Sequence, residues 1–474
     1  MLLVYLLLIK IMLKTTLIAH ASMLIQSNKT TILTDPVWFD YLWEEINVLC
    51  PSIDLDLKKI PPVDVLNISH RHQDHFDVRT LAYLARSGSI VKPETIILAP
   101  NDDILIDVLK ELNYKNITIV EDFKSISIGD VTLTPTPSLN EGDYFPEHGL
   151  LVNDGEVTIW NQVDTVVNPE IISYINKLYG RLDFSHSRFL PLLEGNFTHH
   201  KALAIPFEEY SSFLKVAGAL KPKFIVPGSA AFRYRDELDF LNRYSFPTTP
   251  EQFLADLEDF CPDIKTSTFN SGDVAFISKE GVRIDKQSSD FVRILSDDSD
   301  KITFKPVMEV KPIISIASDP ESTSKEIQII EEFIGGTYLE KLTASDKIDG
   351  WRHWQTLYQL ELFDSNGNSK SWNIDFRDKK LRVDKKTPGK INLYEGIAAS
   401  DFFKLINGTT SWDFVGLSGN YRTFSDIYRV GLGTFEFFPI DRPFPLPLLQ
   451  VFPSDREMDR NKYMKDVLRW KEKA

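Results

Sequence analysis

The stretch that decides the fold is His70-Arg71-His72-Gln73-Asp74-His75, which directly follows the apolar run VDVLNIS at 63–69. The run predicts a buried strand. The segment DVRTLAYLARSG after it predicts a helix with Asp77 as its N-cap and Gly88 past its end. Three of the nine histidines in the chain therefore crowd into six residues at the carboxyl end of a strand.

This string has the composition of a metal site, because borderline divalent metals prefer imidazole nitrogen and carboxylate oxygen. His70 and His72 are two positions apart and are expected to project to the same side, where they could share one metal. Asp74 and His75 lie past the turn and would reach a second position. We therefore expect one or two divalent metal ions here; the alternative is a polar surface loop that happens to hold three histidines.

The composition excludes several classes of protein. The 474 residues are 43% hydrophobic and 26% charged, as in globular proteins with a large core. There are 53 Lys and Arg against 68 Asp and Glu, a net charge of −15, which argues against a nucleic-acid partner. The only cysteines are Cys50 and Cys261, so no disulfide framework, zinc knuckle or Cys-bound iron–sulfur cluster is expected, and a cytoplasmic location fits best.

The first fourteen residues are interpreted as an N-terminal extension. Nine apolar residues, MLLVYLLLI, are followed by Lys10 and Lys14, whereas a spanning helix needs roughly 20 apolar residues. A signal peptide would have a charged region before the apolar run. No stable membrane anchor is predicted; a secretory role and a true start at Met12 are the alternatives.

Two domains are predicted after this extension. Between residues 15 and 285, β-hairpins alternate with strand–helix units, a pattern that favours an α/β fold with mixed sheets packed face to face and helices outside. A polar segment at 286–315, with DDSD at 297–300, predicts a linker. Residues 316–474 predict a smaller α+β domain that holds five of the eight tryptophans, interpreted as packed core or as the lining of an apolar pocket.

The string at 70–75 resembles the signature of the metallo-β-lactamase superfamily. LIAHASMLIQ and TILTDPVW are similar to its opening hairpin, which ends on Asp-Pro, and KFIVPGS falls where its last motif is expected. WNQVDT is similar to the later strand, which implies that Asp164 bridges two metals. The resemblance covers about 15–285 and implies an αββα sandwich.

Two imidazoles of the usual dizinc enzymes are missing. The family's further histidine is replaced by a stretch that ends at Glu141, and its last one by Pro227-Gly228-Ser229. By rough position Glu141, His148 or His186 could substitute, although each could also be a surface or core residue. A carboxylate in place of an imidazole shifts the preference toward iron, with zinc or manganese as alternatives.

A narrower resemblance is to the CMP-N-acetylneuraminate hydroxylase group, carried by PEHGLLVNDGEVTIWNQVDT, LEGNFTHHKALAIPFEEYSSFLKVAGALKPKFIVPGSAAF and WDFVGLSGNYRTFSDIYRVG. That group joins a Rieske domain to a metallo-β-lactamase-like domain. No Cys-x-His pair of a Rieske domain occurs in this sequence, so the resemblance implies an external electron donor. Nucleotide-sugar specificity is not carried over.

Four further residues are candidates for contact with substrate. His20 lies in the first hairpin, which the resemblance places near the metals, and could also support a metal ligand from behind. His199 precedes His200 in a segment that also reads as a solvated loop. Arg233 and Arg235 could clamp an anion or pair with Asp236 and Glu237.

We expect a metal-dependent enzyme that acts on a small-molecule substrate. The favoured hypothesis is a non-heme iron or diiron oxygenase. The alternative is a hydrolase of an ester, amide or phosphodiester, in which a metal-bound water attacks and Asp74 orients that water or accepts its proton. A third hypothesis is a non-catalytic binding protein that retains a metal site.

Overall fold

The computed structural model describes residues 13–140, 145–199, 201, 203–305, 312–315, 320–385, 389–431, 434–439, 443–453 and 456–472. The N-terminal extension up to residue 12 and Glu141 lie outside them. The chain divides into two compact units. The first comprises residues 1–191, 205–304 and 463–474, and the second comprises 192–204 and 305–462.

The first unit contains an eight-stranded mixed sheet in which the predicted opening hairpin lies near the centre. From edge to edge its strands are Gly281–Asp285, Val274–Ser278, Leu13–Ala19, Ser22–Gln26, Thr31–Thr34, Val63–Asn67, Val91–Ala99 and Ile117–Ile119. Thr31–Thr34, Val63–Asn67 and Val91–Ala99 run parallel to one another. The residues that follow the first two of these strands therefore emerge side by side at one edge.

A second sheet of seven strands faces the first. Its order is Ile126–Ile128, Val131–Pro137, His148–Asn153, Thr158–Asn161, Phe184–Arg188, Phe224–Gly228 and Lys265–Thr266. The last four strands are parallel neighbours, so their carboxyl ends also share one edge of the sheet.

A hydrophobic core lies between the two sheets. Leu17, Met23 and Val65 from the first sheet belong to the same buried cluster as Leu150 and Phe184 from the second. This burial follows from the two-residue period of the strands, which directs alternate side chains to the shared interior.

Helices cover the outer faces. Ile172 and Ile175 of Pro169–Tyr179 pack with Trp160 of the second sheet, while the first two helices each follow a strand of the first sheet. The α-helices of this unit are Val78–Ser87, Asp103–Glu111, Pro169–Tyr179, Phe207–Leu220 and Pro250–Phe260, with 3-10 turns at Asp236–Arg243 and Ser299–Lys301. The α/β fold with face-to-face mixed sheets and outer helices is confirmed.

Small sheets complete the first unit. One is three-stranded, with the order Phe232–Tyr234, Asn47–Leu49 and Tyr41–Leu42. The other is two-stranded and pairs Val292–Ser296 with Ser52–Leu55. The turn that joins Tyr41–Leu42 to Asn47–Leu49 contributes to the site described below.

The second unit is built on a four-stranded sheet and short helices. Its sheet order is Ser369–Asp375, Leu357–Phe363, Leu393–Ala398 and Tyr421–Ser425, beside the hairpin Tyr428–Gly431 and Thr434–Phe437. Its helices are Glu194–Thr198, Pro320–Phe333, the π-helical Ile334–Tyr338, Leu339–Ala344, Ile348–His353, Ala399–Ile406, Trp412–Leu417 and Pro447–Val451. The final helix, Arg456–Lys471, begins in this unit and ends in the first.

Four of the five late tryptophans belong to the core of the second unit. Trp351 and Trp372 are buried in its cluster, and Trp354 and Trp412 pack against it. Trp470 lies in the first unit beside Arg79. The packed-core interpretation therefore fits these four rings. Among the described residues, no helix is both long and apolar enough to cross a bilayer.

Candidate metal centre

The histidine string forms a tight loop between strand Val63–Asn67 and helix Val78–Ser87. Main-chain N–H groups of His75 and Phe76 both donate to the carbonyl of His72, at 2.9 and 2.7 Å, so the chain folds back on itself after His72. Asp77 caps the helix as predicted, because its carboxylate accepts from the main-chain N–H groups of Arg79 and Thr80. The loop thereby presents imidazoles and a carboxylate to one point.

Arg71 faces away from that point. It is buried, and its Nε donates to Asp102 Oδ2 at 2.8 Å. The other oxygen of Asp102 caps helix Asp103–Glu111, and the ring of Phe145 lies 4.5 Å from the Arg71 guanidinium carbon. This pair fixes the loop from behind.

The first cluster of donor atoms consists of His70, His72 and Asp164, whose donor atoms all lie within 4.8 Å of one another. His70 Nε2 is 3.0 Å from His72 Nδ1 and 3.8 Å from Asp164 Oδ2. Asp164 comes from the turn after strand Thr158–Asn161, where Val163 adopts a φ of +49°.

The second cluster shares Asp164 with the first. Its Oδ2 lies 3.2 Å from His75 Nε2, which is also 3.9 Å from Asp74 Oδ2. Two atoms bound to one cation at about 2.0–2.3 Å lie about 3–3.5 Å apart, so several of these separations suit shared coordination. Asp164 Oδ2 therefore lies near donor atoms of both clusters.

Buried atoms without partners also fit a metal. His75 Nε2 and Asp74 Oδ1 are buried, and neither has a hydrogen-bond partner among the described residues. Such atoms are costly to bury unless a ligand satisfies them. The residues present thus fit divalent cations, which would bind at these imidazole nitrogens and carboxylates.

A hydrogen-bond relay behind the loop sets the histidine tautomers. The Ser69 hydroxyl donates to Asp35 Oδ2 at 2.7 Å, so the nearby Nδ1 of His70, at 2.9 Å, must donate its proton to the Ser69 oxygen. Nδ1 of His75 donates to the same Asp35 oxygen at 3.0 Å. In their neutral forms both histidines therefore carry the electron pair on Nε2, which is the nitrogen that a cation would bind in place of a proton.

His20 has the opposite tautomer. The N–H of Ala231 donates to His20 Nδ1 at 3.3 Å, so the proton of the neutral ring sits on Nε2, which lies 3.2 Å from Asp74 Oδ2. The atoms of His20 are close enough to Asp74 and His75 for a third ligand, but in this tautomer Nε2 directs an N–H toward the Asp74 carboxylate and not an electron pair toward a cation. His20 is buried at a φ of +48°.

The pKa values of the two buried histidines in the centre shift in opposite directions. Burial lowers the pKa of His70 well below its usual range, helped by the neighbouring His75 and His72. Burial alone would also lower the pKa of His75, but Asp164 and Asp74 outweigh it and raise that pKa well above normal. Burial favours the neutral carboxyls, yet His75 holds the pKa of both Asp74 and Asp164 below the ordinary value. Both carboxylates are therefore ionised at neutral pH, as cation ligands must be.

Two predicted ligand candidates lie outside both clusters. His148 Nε2 is 3.0 Å from Asn67 Oδ1, and burial lowers the pKa of His148 to about 4. His186 Nδ1 is 3.0 Å from Asn161 Oδ1, and burial, then His20 and His75, lower its pKa to about 3.

Gly228, in the motif where the family's last histidine is expected, makes room for the tip of the His186 ring. A Cβ built at Gly228 would lie 2.1 Å from His186 Nε2. The structure therefore directs this nitrogen at the Gly228 main chain rather than at either group of donor atoms.

The remaining candidates are placed as follows. Arg233 pairs with Asp298 at 2.6 Å, and Arg235 pairs with Asp236 at 2.5 Å, so the pairing expected for Asp236 is observed while Asp298 takes the place expected for Glu237. Both arginines line a cavity of about 280 Å³. His199 ends the short helix Glu194–Thr198 in the second unit, where its N–H donates to the Gly195 carbonyl.

Sequence reasoning missed the aromatic residues beside the loop. The Trp43 ring centroid lies 5.2 Å from that of His72, and the Phe145 centroid lies 4.9 Å from it. Trp43, Glu44 and Glu45 have successive φ values of +48°, +54° and +69°, and each such non-glycine residue costs about 1–2 kcal/mol. Sequence alone carries no signal for this strained turn, since none of the three is a glycine.

Comparison with known proteins agrees with this geometry. The family model described as a beta-lactamase superfamily domain matches residues 14–162. The chain therefore contains a domain of the metallo-β-lactamase fold, and the resemblance that the sequence carried is confirmed. The histidine loop at 70–75 falls within the matched residues.

Two curated bacterial relatives cover about a third of the chain. One is the 4-amino-L-phenylalanyl-[CmlP-peptidyl-carrier-protein] 3-hydroxylase of Streptomyces venezuelae, 27% identical over 171 residues, which are 35% of this chain and 32% of that protein. Another is a putative Rieske 2Fe-2S iron-sulfur protein of Mycolicibacterium smegmatis, 26% identical over 36% of this chain and 33% of its own length. The chain thus spans about a third of the length of these relatives.

The solved structures to which the chain is similar include a hydroxylase and a hydrolase. CmlA, a diiron β-hydroxylase from S. venezuelae, has 17% identity and a TM-score of 0.38 over 54% of this chain and 53% of its own. The isothiocyanate hydrolase from Delia radicum gut bacteria has 15% identity and a TM-score of 0.40 over 56% of this chain and 99% of its own.

Proposed function

We propose that the first unit is a non-heme iron enzyme, with one or two irons, that hydroxylates a small molecule with O2. The observation that carries the proposal is the donor set of the second cluster, where one imidazole, His75, stands with the carboxylates Asp74 and Asp164. A set rich in carboxylates favours a harder metal than the imidazole-rich sets of zinc enzymes. The S. venezuelae relative is a 3-hydroxylase, which supports the same reaction class.

Glu141 is proposed as a further carboxylate ligand. It lies outside the described residues, but the residues on either side of its segment are placed at the centre. Leu139 N–H donates to the Val166 carbonyl at 2.7 Å, two residues past Asp164, and Phe145 contacts the rings of His70 and His72.

Bound iron would supply the site for O2 activation, and the residues of this chain would control access and protonation around it. Ser69 and Asp35 accept the Nδ1–H groups of His70 and His75, respectively, so Nε2 is the nitrogen that each neutral ring would offer to a cation. Asp74 offers its unpartnered Oδ1 as a ligand or as an acceptor for a proton of the substrate. The electrons required by a hydroxylase would come from an external donor, a role for which the Rieske relative suggests a class of partner.

The test is metal content together with O2 consumption. Protein purified anaerobically and loaded with Fe²⁺ is expected to bind one to two irons and to consume O2 when a chemical reductant is supplied. His72→Ala and Glu141→Gln should each lower the iron content, while His353→Gln, an exposed histidine of the second unit, should leave it unchanged. Stoichiometric zinc with no iron binding and no O2 consumption would overturn the proposal.

A hydrolase is the second candidate, supported by one observation. Asp164 Oδ2 lies 3.8 Å from His70 Nε2 and 3.2 Å from His75 Nε2, and two cations held on either side of it could share an attacking water. Turnover of generic ester or phosphodiester substrates with zinc or manganese, lost in His72→Ala, would favour this activity over hydroxylation.

A further inference from the structure

Among the described donor residues of the candidate centre, His72 and Asp164 are the partly exposed ones. The side chains of His70 and His75 are fully buried and that of Asp74 is 9% exposed, whereas Asp164 is 31% exposed. His72 is also half-buried. A substrate must therefore approach along the edge formed by His72 and Asp164.

Two aromatic rings border this edge. The planes of Trp43 and His72 are tilted by 44° at a centroid distance of 5.2 Å, and Phe145 meets His72 edge-on at 4.9 Å. Phe145 also stacks on His70 with an interplanar angle of 10°. Both aromatic residues are half-buried, so each ring keeps apolar surface that a ligand at the open edge could cover.

The histidine loop itself fixes the position of Trp43. Gln73, between His72 and Asp74, accepts a hydrogen bond through Oε1 from the Glu44 N–H at 3.1 Å. On the other side of the turn, Ile46 N–H donates to the Trp43 carbonyl at 3.0 Å. The left-handed run from Trp43 to Glu45 is thus clamped to the loop that carries the donor atoms, and strained backbone of this kind clusters at functional sites.

We propose that Trp43, with Phe145, forms the substrate wall of this centre, and that the substrate presents an aromatic or planar apolar group next to the position that reacts. The inference rests on the proposed metal centre and adds the substrate class to it. Stacked or edge-to-face rings prefer centroid separations of 4.5–7 Å. Both rings lie about 5 Å from the His72 ring, so a planar group bound on the exposed side of His72 could pack against one or both of them. Trp43 is a positioning residue in this arrangement.

The experiment compares two carboxylate probes that differ only in a ring. Phenylacetate and acetate can both bind a cation through the carboxylate. Their dissociation constants are measured on Co²⁺-loaded protein from the change in the visible Co²⁺ absorption. Wild-type protein is expected to prefer phenylacetate by about tenfold. Trp43→Ala should reduce the preference to less than about threefold with its Co²⁺ content unchanged, and Trp43→Phe should restore most of it.

Tyr41→Ala is the matched control, because this exposed ring belongs to the same hairpin but lies over Arg235. Its preference should equal that of wild type. Equal binding of the two probes by Co²⁺-loaded wild type, or an unchanged preference in a folded, Co²⁺-loaded Trp43→Ala protein, would overturn the inference and leave the metal centre standing. Failure of wild type to bind any divalent cation would instead overturn the proposed function.

Discussion

Oδ2 of Asp35 lies 3.0 Å from Nδ1 of His75 and accepts a hydrogen bond from its N–H, although 40 residues separate the two in the chain. The same carboxylate also accepts from the main-chain N–H and the hydroxyl of Ser69, each at 2.7 Å. Three donors converge on two oxygens, so Asp35 holds both Ser69 and His75, a proposed metal ligand, in place.

Asp35→Asn should therefore weaken cation binding. A carboxamide presents one oxygen and one N–H₂ group, so one of the three donors must face another donor. Loss of such a supporting carboxylate typically reduces metal affinity by about 10–100-fold, which calorimetric titration with Mn²⁺ would measure. Asp64→Asn is the control and should leave the Mn²⁺ affinity unchanged. Asp64 is an exposed carboxylate of the same sheet that accepts a hydrogen bond from the main-chain N–H of Thr31 at 2.8 Å. Equal affinities in wild type and Asp35→Asn would contradict the relay.

The tautomer of His20 makes a separate prediction. Glutamine can place an N–H donor near the position of the imidazole Nε2, whereas alanine cannot. At the second cluster, we expect the Mn²⁺ affinity of His20→Gln to stay within about threefold of the wild-type value. The affinity of His20→Ala should be about tenfold lower. Equal, large losses of Mn²⁺ affinity in both variants would mean that His20 is itself a ligand. Unchanged affinity in both would mean that His20 does not support the centre.

A buried carboxyl in the second unit predicts a pH dependence of stability. Glu395 accepts from the Tyr421 hydroxyl at 2.6 Å and from the Leu448 N–H at 3.0 Å, and burial raises its pKa from 4.5 to about 7. The folded chain therefore holds this proton more tightly than the unfolded chain. Its stabilising effect is complete below about pH 4.5 and is lost as the pH rises through 7.

Relative to Glu395→Gln, wild-type protein should lose about 3 kcal/mol of unfolding free energy between pH 4.5 and 7.5. Urea unfolding followed by tryptophan fluorescence at both ends of this range would measure the difference. A constant offset between the two proteins across the range would contradict the expectation, whatever the size of that offset.

The strained turn can be tested without touching Trp43. Glu45 has a φ of +69° and an exposed ion pair with Arg235 at 3.6 Å. Glu45→Ala and Glu45→Gly both remove that pair, but only glycine adopts this φ without steric cost. We expect the free energy of unfolding of the glycine variant to exceed that of the alanine variant by about 1 kcal/mol. At ordinary sites the alanine variant is the more stable of the two. Thermal or urea unfolding of the two would decide it.

Local sequence predicted the parts of the centre that one loop and its flanking elements contain. The strand before His70 and the cap at Asp77 follow from neighbouring residues, and Gly88 adopts the left-handed φ of +56° expected past a helix end. Residues from other strands could not be placed this way. The sequence indicates Asp35 only as the end of a hairpin. Its hydrogen bond to His75 forms because two parallel strands end side by side.

Ion pairs show the same limit. The sequence offered Glu237 as a partner for the arginines because it is close along the chain, but Arg233 pairs with Asp298, 65 residues away. His186 was a reasonable ligand by position, yet the packing of its ring on Gly228 is a property of two adjacent parallel strands. Cation number and the role of Glu141 stay predictions.

The burial of Arg71 between His70 and His72, two proposed metal ligands, restricts how this loop can change. We expect a deletion or insertion of a single residue just before it to turn a permanently charged guanidinium toward the proposed metal centre and to leave an imidazole opposite Asp102. Two positive charges would then compete for one cavity while a carboxylate lost its partner. Single substitutions keep the alternating side-chain directions of this loop. A one-residue shift would reverse them and destroy the arrangement of donor atoms.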